Sequence, residues 1–306
     1  MTEASLRDFQ EAIRPAVEGV ENFRFACTTV LNRHDRKAVV TARCPAMTEL
    51  QNQSTYKGTK DNQPVDNVVS MIRLLAEAGN DALRAVVVLA NTDPVFIWAH
   101  LPSARSALET FAYCHWLAEC PLDPDRRVQR GLLMQLEDAK ELARFGIETF
   151  TNQSQKTKAS IQAFSEANEW PVSFTKMTIG REVLIDTKPA IDLVVGGTGD
   201  IHGLAPQLWS YLSGASHGNP YALLQSADRT GGVIEGPMIT VPLVVEASTI
   251  HNLTATLILA GIRAWGMTCR YFGWDDEDWR ASLTPVREYL DWAHEALRTH
   301  TNPGVA

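Results

Sequence analysis

The sequence predicts an all-α fold, a multi-helix bundle, and three observations carry that prediction. Apolar residues recur at helical spacing along most of the chain. Two Asp-Pro pairs, Asp93-Pro94 and Asp123-Pro124, join an N-cap residue to a proline at the first helical position. No set of alternating apolar and polar segments suggests a sheet.

The elements follow in order. Leu6, Phe9, Ile13, Val17, Val20 and Phe23 define an opening amphipathic helix over residues 3–30. Residues 35–66 combine "DRKAVVTARCP" with the polar run "TELQNQSTYKGTKDNQP" and read as an irregular, loop-rich insertion. Val68, Ile72 and Leu75 begin the next helix. Asp93-Pro94 opens another that carries residues 101–120, and Asp123-Pro124 a third running to about Phe150. A helix over Ser154–Asn168 precedes the irregular "EWPVSFTKMTIG". "DTKPAIDL" reads as a short helix and residues 204–217 as a longer one, stopped by Gly218 and Asn219-Pro220. Two long helices, 241–272 and 276–298, close the chain. No linker separates these segments, so the expectation is a single helical domain over 1–306, with a core at 67–298 and helix 3–30 packed on it.

Composition narrows the function classes. A net charge of −8 and a pI near 5.5 argue against a dedicated nucleic-acid coat or a binder of anionic membranes. Cys27, Cys44, Cys114, Cys120 and Cys269 are scattered and include no C-x-x-C pair, which fits a reducing, cytoplasmic location. The most apolar stretch, 240–265, is interrupted by Glu246, His251, Asn252 and Arg263, so a buried helix explains it better than a membrane span.

Several motifs have a structural explanation. "VVGGTGDIHG" suggests a dinucleotide loop, but that mechanism needs a strand before it, and a helix is expected there instead. "WDDEDW" suggests an acidic metal cluster, yet Asp275 and Asp276 stand where a helix should start, a place that favours acidic residues. "QLEDAK" supplies Glu137 and Asp138 without the E-x-x-H pairs of a two-iron site. No metal and no cofactor is expected.

Two polar clusters are more informative. On a helical wheel, Trp98, Leu101, Leu108, Ala112 and Trp116 form one apolar arc, and Arg105 and Glu109 fall inside it. A charged pair on a core face must be mutually satisfied, because desolvating an ion costs several kcal/mol. In "YLSGASHGNP", Ser213 and His217 lie one turn apart on the flank of the helix that Gly218 ends. A histidine there suits the helix dipole, but Tyr211, Ser213, Ser216 and Asn219 crowd hydrogen-bonding groups around it.

The motifs "RSALET", "WLAE", "DPDRRVQRG" and "YLSGASHG" resemble those of a group of uncharacterised all-helical bacterial proteins, common in actinobacteria, that pair an R-x-x-x-E helix with an S-x-x-x-H-G helix. The matching residues are Arg105, Glu109, Trp116, Arg127, Arg130, Ser213, His217 and Gly218, within residues 94–225. The resemblance implies the fold and a shared polar centre. A weaker likeness is to HEPN-type helical ribonucleases, which use an Arg and a His on one helix; the R-x(4–6)-H spacing of that family is missing near His217.

The expected site is therefore Arg105, Glu109, Ser213 and His217. His217 would act as acid or base, Arg105 would bind an anionic group, and Glu109 would orient either. Three readings stay open. One is a metal-independent hydrolase of a phosphate-containing substrate, of defence or toxin type. The second is a helical pocket protein for an anionic metabolite, and the third a non-catalytic interaction protein with a structural polar cluster. RNA or an anionic small molecule, and a second copy of the chain, are the partners these readings allow; a membrane is not expected.

Overall fold

The computed structural model describes residues 3–35, 44–58, 63–93, 98–196, 204–219, 233–235, 238–240, 246–274 and 276–301. Among these, eleven α-helices dominate: α1 (Glu3–Asp35), α2 (Pro45–Gln51), α3 (Pro64–Ala90), α4 (His100–Ala118), α5 (Pro124–Arg144), α6 (Glu148–Ala167), α7 (Thr187–Val195), α8 (Leu204–Ser216), α9 (Ala247–Phe272), α10 (Asp276–Ser282) and α11 (Thr284–Thr301). None is long and apolar enough to cross a membrane.

α4 is the hub. Leu101, Ala104, Ala107, Leu108, Phe111, Ala112, Cys114 and Leu117 are buried on several sides of it, because α3, α9, α7, α8 and α5 all pack around it. Its alanines shorten the distance between axes, and glycines on the partner helices do the same. A Cβ at Gly261 of α9 would stand 2.6 Å from the Phe23 ring and 3.2 Å from that of Phe111. Phe23 and Phe111 meet edge to face at this crossing, with centroids 6.3 Å apart. α1 joins through Ile13, Ala16, Val20, Phe23, Cys27 and Val30, the stripe its sequence periodicity requires.

A satellite core forms where α5 and α6 pair. Val128, Leu132, Leu136, Ile161 and Phe164 close on Ile179 and Val65. Asp123 caps α5 as expected, its carboxylate accepting from the N–H groups of Asp125 (3.0 Å) and Arg126 (3.3 Å). Two arginines on the first turns of α5 then reach the C-terminal end of α4. Arg127, fully buried, donates to Glu49 Oε1 (3.1 Å), Leu117 O (2.5 Å) and Glu119 O (2.8 Å). Its guanidinium lies 4.4 Å from the Tyr271 ring centroid. Arg130 donates to Trp116 O (2.6 Å), Glu119 Oε2 (2.6 Å) and Glu182 Oε2 (2.8 Å). Cations at the carbonyl end of a helix satisfy its orphan acceptors and its dipole together. Arg127 and Arg130 thus fasten α5 to α4.

The structure corrects several boundaries. The 35–66 insertion contains α2 and a short 3-10 helix (Gln53–Thr55); α2 places Glu49 against Arg127, and Tyr271 Oη donates to the same carboxylate at 2.8 Å. The helix expected to reach Phe150 ends at Arg144. Gly146 (φ 66°) turns the chain, and α6 starts at Glu148, ahead of Ser154. "EWPVSFTKMTIG" contributes to a three-stranded antiparallel meander, β1 (Val172–Ser173), β2 (Thr178–Ile179) and β3 (Glu182–Val183). Its Glu182 supplies carboxylate oxygens to Arg126 and Arg130. β4 (Val233–Glu235) and β5 (Met238–Thr240) form a separate hairpin. α4 begins at His100; Pro94 of the Asp93-Pro94 start lies outside the described residues, as do 197–203 of the glycine-rich stretch, Pro220, 241–245 and Asp275. α7 does precede the glycine-rich stretch, where a dinucleotide loop would need a strand.

Candidate functional site

α4 carries a polar stripe at i, i+4 and i+8, namely Arg105, Glu109 and Tyr113. Arg105 and Glu109 sit on the edge of the buried arc. Their side chains are 23% and 25% exposed, so they are less buried than the helical wheel places them. The reason is packing: α8 and α7 cover this edge of α4 without sealing it.

Each residue of the stripe has a partner. Arg105 Nε donates to Glu109 Oε1 at 2.8 Å. The same oxygen accepts from Trp209 Nε1 of α8 at 2.7 Å. Tyr113 Oη lies 3.1 Å from Thr187 Oγ1, at the start of α7. Burial raises the Tyr113 phenol above its ordinary range, with the neighbouring Glu109 charge adding to that. Arg105 Nη1 is 3.0 Å from His217 Nε2. The two polar clusters read from sequence, 112 positions apart, thus meet in a direct contact.

α8 presents His217 through its termination. His217 N–H closes on Ser213 O (3.1 Å), Gly218 N–H on Ala215 O (3.0 Å) and Asn219 N–H on Gly214 O (2.8 Å). Gly218 adopts φ 68°, and these last two bonds are the paired closure of a Schellman motif. The helix is anchored below by Leu212 and Ala215, both buried, while Trp209, Ser213 and His217 follow its flank at intervals of four. His217 itself is exposed.

Of the four expected site residues, Arg105, Glu109 and His217 form one hydrogen-bonded chain. Ser213 is adjacent by its place on α8, but its hydroxyl makes no hydrogen bond among the described residues, and no base is aimed at it. Two members of the centre escaped the sequence reading. Trp209 reads as a core residue, yet it is only half-buried and its indole N–H fixes Glu109. Lys188, on α7, stands 5.4 Å from the Trp209 ring centroid, and Arg105 5.9 Å from it. The usable signal was the spacing: Trp209, Ser213 and His217 recur every four residues, a stripe that includes the tryptophan.

The hydrogen-bond roles follow from chemistry. A guanidinium only donates, so Nε2 of His217 is the acceptor when this contact is a hydrogen bond. Glu109 takes Nε of Arg105, while Nη1 faces His217 at the exposed end of α8. Arg105 and Lys188 both stand beside the Trp209 ring, and the Glu109 carboxylate is the counter-charge paired with Arg105. Among the described residues no group of three or more His, Cys, Asp or Glu side chains is arranged to hold a metal ion. No protein-family model, curated protein or solved structure matches the chain at a significant level.

Proposed function

We propose that Arg105 and His217 are the anion-holding and acid–base groups of a metal-independent enzyme acting on a phosphate-containing substrate, with RNA as the substrate class. The observation that carries this reading is the 3.0 Å contact between Arg105 Nη1 and His217 Nε2 at an exposed helix end. Arg105 is oriented by Glu109, which Trp209 holds in turn, so its terminal nitrogens are preorganised for a phosphate oxygen. When a phosphate takes those donors, His217 Nε2 is released as a neutral base beside it. It can accept a proton from an attacking hydroxyl and return it, as imidazolium, to the leaving oxygen. The exposure of His217 supports this over a sealed structural cluster, whose members would all face inward. The likeness to HEPN-type nucleases rests on the same pairing of residue types, here drawn from two helices instead of one.

The experiment is cleavage of single-stranded RNA oligonucleotides in EDTA, with His217→Ala and Arg105→Ala alongside the wild type. Loss of His217 should lower the rate by about 10²–10⁴-fold while circular dichroism stays unchanged. Phosphate-dependent shifts of the His217 ring resonance without cleavage would leave an anion-binding protein. Neither cleavage nor shifts would end the reading.

A further inference from the structure

α6 is covered along one side. Ser154, Ile161, Phe164 and Ser165 are its buried residues, and among the described elements it packs on α5 and β1. The opposite side is exposed at Asn152, Lys156, Ala159, Ala163 and Glu166. These positions alternate in steps of four and three, so they fall within an arc of about 80°, the kind of seam along which one helix lies against another. Their order is symmetric in position and opposite in charge. Position 161 is the midpoint of two pairs, Ala159 with Ala163 and Lys156 with Glu166. Lys156 makes no ion pair among the described residues, and Glu166 accepts there only from Gln162 of its own helix. Apolar side chains are exposed at both ends of the arm: Phe145 (67%) and Ile147 (51%) just before α6, and Phe174 (38%) and Val183 (56%) on the meander that follows it.

We propose that the outer face of α6 is the contact surface for a second copy of the chain, the two α6 helices packing antiparallel about a twofold axis at position 161. A twofold interface is isologous: residue i meets residue j, and j meets i. Turning α6 end over end exchanges Lys156 with Glu166 and Ala159 with Ala163. Each ammonium then faces the partner's carboxylate, and the alanines between them let the axes approach to about 8 Å. Parallel pairing would instead set like charges against each other, which disfavours it. The same inversion carries the tip of each arm to the base of the other, where the exposed apolar residues of the tip and the meander can cover one another. One helix face is small beside the roughly 1,200 Å² of a stable interface, so the dimer depends on concentration. None of these residues belongs to the Arg105–His217 centre.

The test is sedimentation velocity of the full chain at rising concentration and low salt, where the wild type should pass from monomer to dimer. Lys156→Glu places carboxylates opposite each other at two points of the interface and should weaken the dimer about ten-fold or more. Glu166→Lys should do the same with ammonium groups. The double variant Lys156→Glu/Glu166→Lys restores opposite charges in the antiparallel register, so it should recover the wild-type dissociation constant. Ala159→Arg should abolish the dimer and leave the monomer's circular dichroism unchanged, since the position is exposed and arginine is a good helix former. A chain that stays monomeric throughout, or a dimer that Lys156→Glu and Ala159→Arg leave intact, would overturn the surface. Single variants that weaken the dimer without recovery in the double variant would overturn the antiparallel pairing.

Discussion

Glu49→Ala would leave Arg127, a fully buried guanidinium, without a carboxylate partner among the described residues. Arg127 would keep two backbone acceptors, Leu117 O and Glu119 O, and the face of Tyr271. Those contacts distribute the charge but do not neutralise it. Breaking a buried ion pair from one side costs about 3–5 kcal/mol, and here the Tyr271 hydroxyl loses its acceptor as well. Burial also raises the Glu49 carboxyl above its usual range, against the pull of Arg127 and Tyr271. The ionised side chain is thus costly in itself, so Glu49→Gln, which keeps an acceptor oxygen, should cost about 1–2 kcal/mol less than alanine. Urea unfolding followed by far-UV circular dichroism measures both, with the midpoint read at constant m. Arg127→Met combined with Glu49→Leu should recover much of the loss, since an apolar pair can replace a buried ion pair. A Glu49→Ala variant destabilised by under about 1 kcal/mol would refute the reasoning, because such a value belongs to exposed pairs.

Three further outcomes are expected. Glu109→Ala should cost less than Glu49→Ala, about 1–2 kcal/mol, because its pair with Arg105 is a quarter exposed and partly screened; urea midpoints compare the two. Burial, reinforced by Arg263, lowers the His115 imidazole from 6.5 to about 4. Its contribution is then fully present above pH 6.5 and lost as pH falls toward 4, up to about 3 kcal/mol at 1.36 kcal/mol per unit. His115→Asn should flatten that part of the stability–pH curve, and a curve of unchanged slope would show that the ring ionises without penalty. Gly218→Ala forces an alanine to φ 68° and should lower stability by about 1 kcal/mol. It should also weaken the Arg105–His217 contact, seen as a changed His217 ring shift, whereas Gly218→Asn should be tolerated better.

The sequence by itself determined the helices and the caps that bound several of them. Periodicity at 3.6 residues, Asp123-Pro124 and Gly218 are local signals, and local hydrogen bonding and φ/ψ preference act before any tertiary contact forms. It also determined that Arg105 and Glu109 pair, since residues four apart on a helix are neighbours wherever that helix lies. Placing His217 beside them needed one argument more: polar groups near core faces are better satisfied together. The tertiary structure decided what no window of sequence contains. Arg127 and Arg130 entered the sequence reading only through the motif resemblance, and they are buried because the end of α4 offers its free carbonyls there. Glu49 lies in a polar run that looks like a loop, and only the return of α9, bringing Tyr271, makes it core. Trp209 looks like a core residue because wheels score apolar area, whereas its indole N–H found a carboxylate on another helix. In each case the deciding partner lies eight or more residues away, and which groups satisfy a buried charge depends on how helices pack.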